Sequence, residues 1–65
     1  MKVVNEYGVE IYFEVAVSMM DDEIREELHN DLSPCTEQEF FDAYCKAHED
    51  RFGEEFELAK KNPCY

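Results

Sequence analysis

Residues 9–28 read VEIYFEVAVSMMDDEIREEL, and the fold turns on where the apolar spacing changes within them. Val9, Ile11 and Phe13 alternate with Glu10 and Tyr12, the period of two that turns one face of a strand toward a core. From Phe13 onward, Phe13, Val17, Met20, Ile24 and Leu28 fall at i, i+4, i+7, i+11 and i+15, one stripe along a helix. Strand therefore gives way to helix near Phe13. One helix of about 16 residues accounts for the stripe. Alternatively, Ser18 and Asp21 cap a second helix and the element breaks between Ser18 and Met20.

Working outward, KVVN at residues 2–5 supplies an antiparallel partner for the strand, with Asn5-Glu6-Tyr7-Gly8 as the turn. An isolated two-stranded ribbon is barely stable in water, so helices must cover its apolar face. Downstream, Asn30 to Pro34 ends the helical stretch, because Pro34 lacks a donor and biases Ser33 away from helix. Thr36-Glu37-Gln38-Glu39 is a capping box just before FFDAY, and it predicts a helix over 37–52. Its stripe is Phe41, Cys45, His48 and Phe52, flanked by Phe40, Tyr44 and Ala47, and Gly53 is placed for a left-handed stop. Residues 54–61 read as a last turn or two, acids first and lysines last, halted by Asn62-Pro63. The expected architecture is α+β, a single small domain over residues 1–65. An N-terminal β-hairpin packs on two main α-helices, and a short C-terminal helix follows.

At 65 residues the chain is near the lower size for independent folding, so dimerisation is one route to added stability. Five Phe and four Tyr, with Val, Ile, Leu and Met, supply a core. No apolar run reaches the length of a membrane span, and the first residues lack the basic flank and unbroken apolar stretch of a signal peptide. Three cysteines cannot all pair internally and suit a reducing compartment, so the expected location is cytoplasmic.

The net charge of -11 argues against direct binding to nucleic acid or anionic membranes, both of which need a basic footprint. Six carboxylates crowd residues 21–31, with Arg25 the one basic residue other than His29. Helix dipoles favour Asp21, Asp22 and Glu23 in one first turn and Glu37 and Glu39 in another. Asp21 with Arg25, and Asp42 with Lys46, are favourable i, i+4 pairs. Asp22 with Glu26 and Glu23 with Glu27 are like-charge pairs at the same spacing, each costing roughly 0.2 to 0.5 kcal/mol. Five net charges over about 16 Å of helix give one per roughly 3.3 Å, close to the 3.4 Å or so of one DNA strand. Asp22, Glu23 and Glu26 share the face away from the apolar stripe. That face is either a solubilising surface or one that docks onto a basic groove of another protein in place of nucleic acid.

Other chemistry finds less support. Cys45 and His48 share a helix face, and Cys35, Cys64 and His29 are further zinc-type donors, but no paired Cys-x2-Cys element exists. Cys45 lies among aromatic residues, where a thiol packs as a small apolar group, and His48 reads as a boundary residue. His29 reads as an exposed partner for Glu26. A Cys45–His48 nucleophile lacks a third orienting group, and the acidic runs do not match a calcium loop. Tyr7, Tyr12 and Tyr65 are core-edge or contact residues. No enzyme activity, cofactor or metal is expected.

YGVEIYFEVAVSMMDDEIREEL (7–28) and CTEQEFFDAYCKAHEDRFGEEFELAKKNP (35–63) together resemble a group of short acidic proteins carried by prophages and mobile elements of gut bacteria. The resemblance implies no catalytic residues. It implies a context in which small acidic phage proteins serve as anti-CRISPR and anti-restriction inhibitors, several of which look like nucleic-acid mimics. The expected function is then inhibition of a basic nucleic-acid-binding host protein such as a CRISPR effector. The contact residues would be Asp21, Asp22, Glu23, Glu26, Glu27, Glu49 and Asp50. The alternatives are a small homo-oligomer, such as a homodimer, acting through an apolar interface, and a zinc-stabilised module.

Overall fold

The computed structural model describes residues 1–32 and 36–63. Expectations that fall on Ser33, Pro34, Cys35, Cys64 and Tyr65 lie outside the described residues. The order is β1 (Lys2–Val4), β2 (Glu10–Tyr12), α1 (Phe13–Met19), α2 (Asp22–Leu32), α3 (Glu37–Phe52) and a 3-10 turn over Glu57–Ala59. This is the α+β arrangement expected from the sequence.

The hairpin forms where the alternation placed it. β1 and β2 are antiparallel, with Val3 opposite Ile11, Lys2 opposite Tyr12 and Val4 opposite Glu10. Val3 and Ile11 point into the core while their neighbours in both strands are exposed. Gly8 N–H donates to the Asn5 carbonyl at 3.0 Å, and Asn5 N–H donates to the Val9 carbonyl at 3.1 Å. Gly8 has φ +82°, so the three-residue loop closes through a left-handed glycine that no larger side chain fits as easily. The outer edge of β1 is covered by a side chain. Gln38 of α3 accepts from Val4 N–H and donates to the Val4 carbonyl, each at 2.8 Å, pairing with that residue as a neighbouring strand would.

The apolar stripe from Phe13 to Leu28 is divided between two helices, so the single 16-residue helix is corrected in favour of the broken one. Met20 is extended (φ -73°, ψ 146°), and α2 restarts behind it. The cap is Asp21, whose Oδ2 accepts from Ile24 N–H at 3.3 Å. Ser18 instead turns back to the Val15 carbonyl at 2.7 Å. Size supplies the reason for the break. A straight helix over residues 13–32 would run about 30 Å, the whole of the molecule's longest dimension, 29 Å. Breaking at Met20 lets Met20 and Ile24 both reach the core. Tyr44 secures the joint, its hydroxyl accepting from Asp21 N–H at 2.7 Å.

α3 matches its predicted bounds. Glu39 N–H donates to Thr36 Oγ1 at 3.1 Å, and Thr36 N–H donates back to Glu39 Oε1 at 3.4 Å. Gly53 closes the helix in the left-handed region at φ +72°. The buried stripe is rotated from the expected one: Phe40, Phe41 and Tyr44 are buried, Cys45 and His48 are half-buried, and Phe52 is 50% exposed. Gly53 turns the chain back, and Phe56 takes the inner place with its ring 4.7 Å from Tyr44 and 5.4 Å from His48.

The short C-terminal helix is a single 3-10 turn, Glu57–Ala59. Asn5, 6% exposed, ties it to the hairpin turn. Its Nδ2 donates to the carbonyls of Leu58 (3.0 Å) and Lys60 (2.9 Å), which so short a helix leaves without partners of its own. Its Oδ1 accepts from Tyr7 N–H (2.9 Å) and Val9 N–H (3.1 Å). One side chain thus joins the hairpin turn to the C-terminal segment and seats Phe56, Leu58 and Ala59 in the core.

Candidate acidic interface

α2 begins at Asp22 because Asp21 caps it, and burial of Ile24 sets its rotation. At about 100° per residue, Asp22 and Glu26 then lie on the side opposite Ile24, facing solvent. Both are exposed, Asp22 with 86% of its side chain accessible. Glu23 and Glu27 lie a quarter turn nearer to α3, and there Arg51 meets them. Its guanidinium is 2.9 Å from Glu23 and 3.4 Å from Glu27. The like-charge pair at Glu23 and Glu27, unexplained by α2 alone, is a fork around a cation supplied by α3. Asp22 is 3.1 Å from Arg25, which pairs with it rather than with Asp21. Asp42, expected to pair with Lys46, accepts from Gln38 Nε2 at 3.0 Å.

The seven predicted contact residues therefore divide. Asp22 and Glu26 form an outward ridge, Glu23 and Glu27 flank it under Arg51, and Asp21 is half-buried and committed to capping. Glu49 and Asp50 are exposed on α3, but Glu49 sits about 160° around that helix from Arg51 and faces away from α2.

Glu49 belongs instead to a second acidic region that sequence reasoning missed. A groove of about 320 Å³ between the hairpin turn, α3 and the C-terminal segment is lined by Glu6, Asp42, Glu49 and Glu55. Lys46 is the single cation among the described residues that line it. Glu55 and Glu6 raise the pKa of the exposed Tyr7 phenol above its ordinary value, so the negative field extends to the hairpin tip. The available signal was Asn5 at the head of the turn, since an Asx side chain that closes a turn can also reach beyond it.

Cys45 faces this groove, and burial pushes its thiol up to about 12. It keeps its proton at neutral pH and packs as an apolar group, with little thiolate for nucleophilic or metal chemistry. His48 lies against Tyr44, Phe52 and Phe56, its Nδ1 3.0 Å from the Glu54 carbonyl, and His29 is exposed. Tyr7 and Tyr12 are 49% and 55% exposed and lie on the surface. Among the described residues, no helix is long and apolar enough to cross a membrane.

Fold and surface together define a small acidic α+β protein with carboxylates outside the core, some of them grouped along α2 and others around the groove. Its sequence matches the model of a known family, that of the anti-CRISPR protein AcrIC5, over residues 4–56. The chain belongs to this anti-CRISPR family. No curated protein matches it.

Proposed function

We propose that the chain is a non-enzymatic, stoichiometric inhibitor that occupies a Lys/Arg-lined nucleic-acid-binding surface of a CRISPR effector, acting in the cytoplasm of the host cell. The observation that carries this reading is the solvent-facing ridge of Asp22 and Glu26 on α2, flanked by Glu23 and Glu27, in a member of an anti-CRISPR family. Carboxylates held on a rigid helix meet a cationic channel without the loss of freedom that a disordered acidic tail would suffer. Arg51, supplied by α3, leaves this face less charged than the sequence of α2 alone suggests. The inhibitor then competes through a few placed carboxylates, and a continuous stand-in for a phosphate backbone is not required.

The test is competition for target DNA on a reconstituted CRISPR effector complex, at about 0.1 M and 0.5 M salt. The wild-type chain is expected to lose affinity steeply with salt, and Asp22→Lys with Glu26→Lys to weaken inhibition by roughly tenfold or more at low salt. Inhibition that ignores both salt and charge reversal overturns the reading.

A second reading has its own observation. The outer face of the hairpin exposes Val4 and Tyr12 alongside the paired Lys2 and Glu10, a mixed apolar and charged set open to self-association. A solution mass at twice that of the chain, lowered by Tyr12→Glu, supports a homodimer.

A further inference from the structure

We propose that the groove between the hairpin turn, α3 and the C-terminal segment is a second docking surface, and that it takes an arginine side chain presented by a protein partner. This stands independently of the α2 reading, because it concerns a different face of α3.

The argument begins with what the groove is made of. Its floor is mostly apolar, from Phe41, Cys45 and Ala59 beside the fully hydrogen-bonded Asn5, and its rim carries carboxylates from three separate parts of the chain: Glu6 of the turn, Asp42 and Glu49 of α3, and Glu55 beyond Gly53. A surface with an apolar floor and an anionic rim complements a group that is itself apolar along its stem and cationic at its end. Both Lys and Arg have that form. Arginine fits better, since a guanidinium is weakly hydrated, tolerates an apolar floor, and meets two carboxylates at once through its planar fork. The chain already uses this arrangement on its other side, where Arg51 lies between Glu23 and Glu27. A metal ion is a poorer occupant: among the described residues, no group of three or more His, Cys, Asp or Glu side chains is disposed to hold one. The charge balance, four carboxylates against Lys46, leaves the groove strongly anionic. The raised thiol of Cys45, to which Asp42 and Glu6 contribute after burial, and the raised phenol of nearby Tyr7, lifted by Glu55 and Glu6, are consistent with that field.

The experiment is an NMR titration of the intact chain with the peptide acetyl-Gly-Arg-Gly-Arg-Gly-amide, and with its lysine counterpart. Saturable shifts are expected at the amides of Cys45, Lys46 and Glu49. Glu49→Gln with Glu55→Gln should weaken binding by at least about fivefold, whereas Asp22→Asn with Glu26→Gln, which removes the same charge, should change it by less than about twofold. Lys46→Ala should tighten binding, a gain that a folding defect cannot produce. Equal weakening by the two double variants, shifts centred on α2, or equal binding of the lysine peptide overturns the proposal. Groove shifts that grow with protein concentration in the absence of peptide also overturn it, because they make a second copy of the chain the occupant. The assay contains no CRISPR component, so its failure leaves the inhibitor reading intact, and failure of that reading leaves the groove untouched.

Discussion

The junction around Asn5 and the surface between α2 and α3 are both polar, and they are built in opposite ways. At the junction one neutral side chain, 6% exposed, makes four hydrogen bonds to backbone groups on two distant segments. At the surface, Arg51 meets two carboxylates whose side chains are 76% and 67% exposed. A buried neutral bond is costly to break because its partners are left unpaired away from water. An exposed ion pair loses little, since water and salt replace each partner. The fold is thus held by neutral ties, and its charge is placed where it can be altered without unfolding the chain. That separation makes charge reversal on α2 a test of binding rather than of stability.

The largest expected effect is at the junction. Asn5→Ala leaves two carbonyls and two N–H groups without their partner, a loss of about 2 to 4 kcal/mol in urea unfolding. A chain of this size has on the order of 3 to 10 kcal/mol in total, so the variant should lose a large fraction of its stability and melt at a clearly lower temperature. If Asn5→Ala costs no more than a surface substitution, the contrast between the two regions fails.

Tyr44 comes next, and it extends the comparison to the break between α1 and α2. Tyr44→Phe keeps the ring against Phe56 but leaves Asp21 N–H without its acceptor, an expected loss of about 1 kcal/mol. The pH dependence sharpens the assignment. Burial raises the Tyr44 phenol above its ordinary 10.0. Above about pH 10 the unfolded chain therefore releases this proton before the folded one does, and stability falls as pH rises. Below that range both states hold the proton and the phenol contributes nothing to the slope. Tyr44→Phe should flatten the alkaline decline while lowering stability at pH 7, and a decline equally steep in the variant assigns it to another group.

These two regions also mark what could be read in advance. α3 was legible to the residue, because Thr36, Glu39 and Gly53 act on backbone groups within one turn of themselves. The hairpin was legible for the same reason, through the turn ending in Gly8 and the alternation of Val9 and Ile11 with the exposed Glu10 and Tyr12. The break at Met20, the 3-10 turn at Glu57–Ala59 and the replacement of Phe52 by Phe56 were harder. Each depends on something more than a turn away: the size of the molecule for the break, which Tyr44 secures, Asn5 for the seating of the 3-10 turn, and the returning chain after Gly53 for the exchange of aromatic rings. The acidic ridge followed from helical periodicity. The groove did not, because Glu6, Asp42, Glu49 and Glu55 meet only when three segments are folded together.

The smallest expected effect is at Arg51, and it tests the charged side of the comparison directly. Arg51 offsets the repulsion between Glu23 and Glu27, which at i, i+4 costs roughly 0.2 to 0.5 kcal/mol. Arg51→Ala removes that offset and two exposed ion pairs, so a loss of about 0.2 to 1 kcal/mol is expected at low salt. Screening reaches about 3 Å at 1 M salt, and there the loss should nearly vanish. A second substitution separates repulsion from simple loss of a contact. Glu27→Gln in the Arg51→Ala background removes one member of the like-charge pair, so it should restore part of the stability. In the wild-type background the same change removes an ion pair and should slightly destabilise. The sign of the Glu27→Gln effect thus depends on Arg51. If it is the same in both backgrounds, the fork does no electrostatic work and Arg51 acts only through its aliphatic stem.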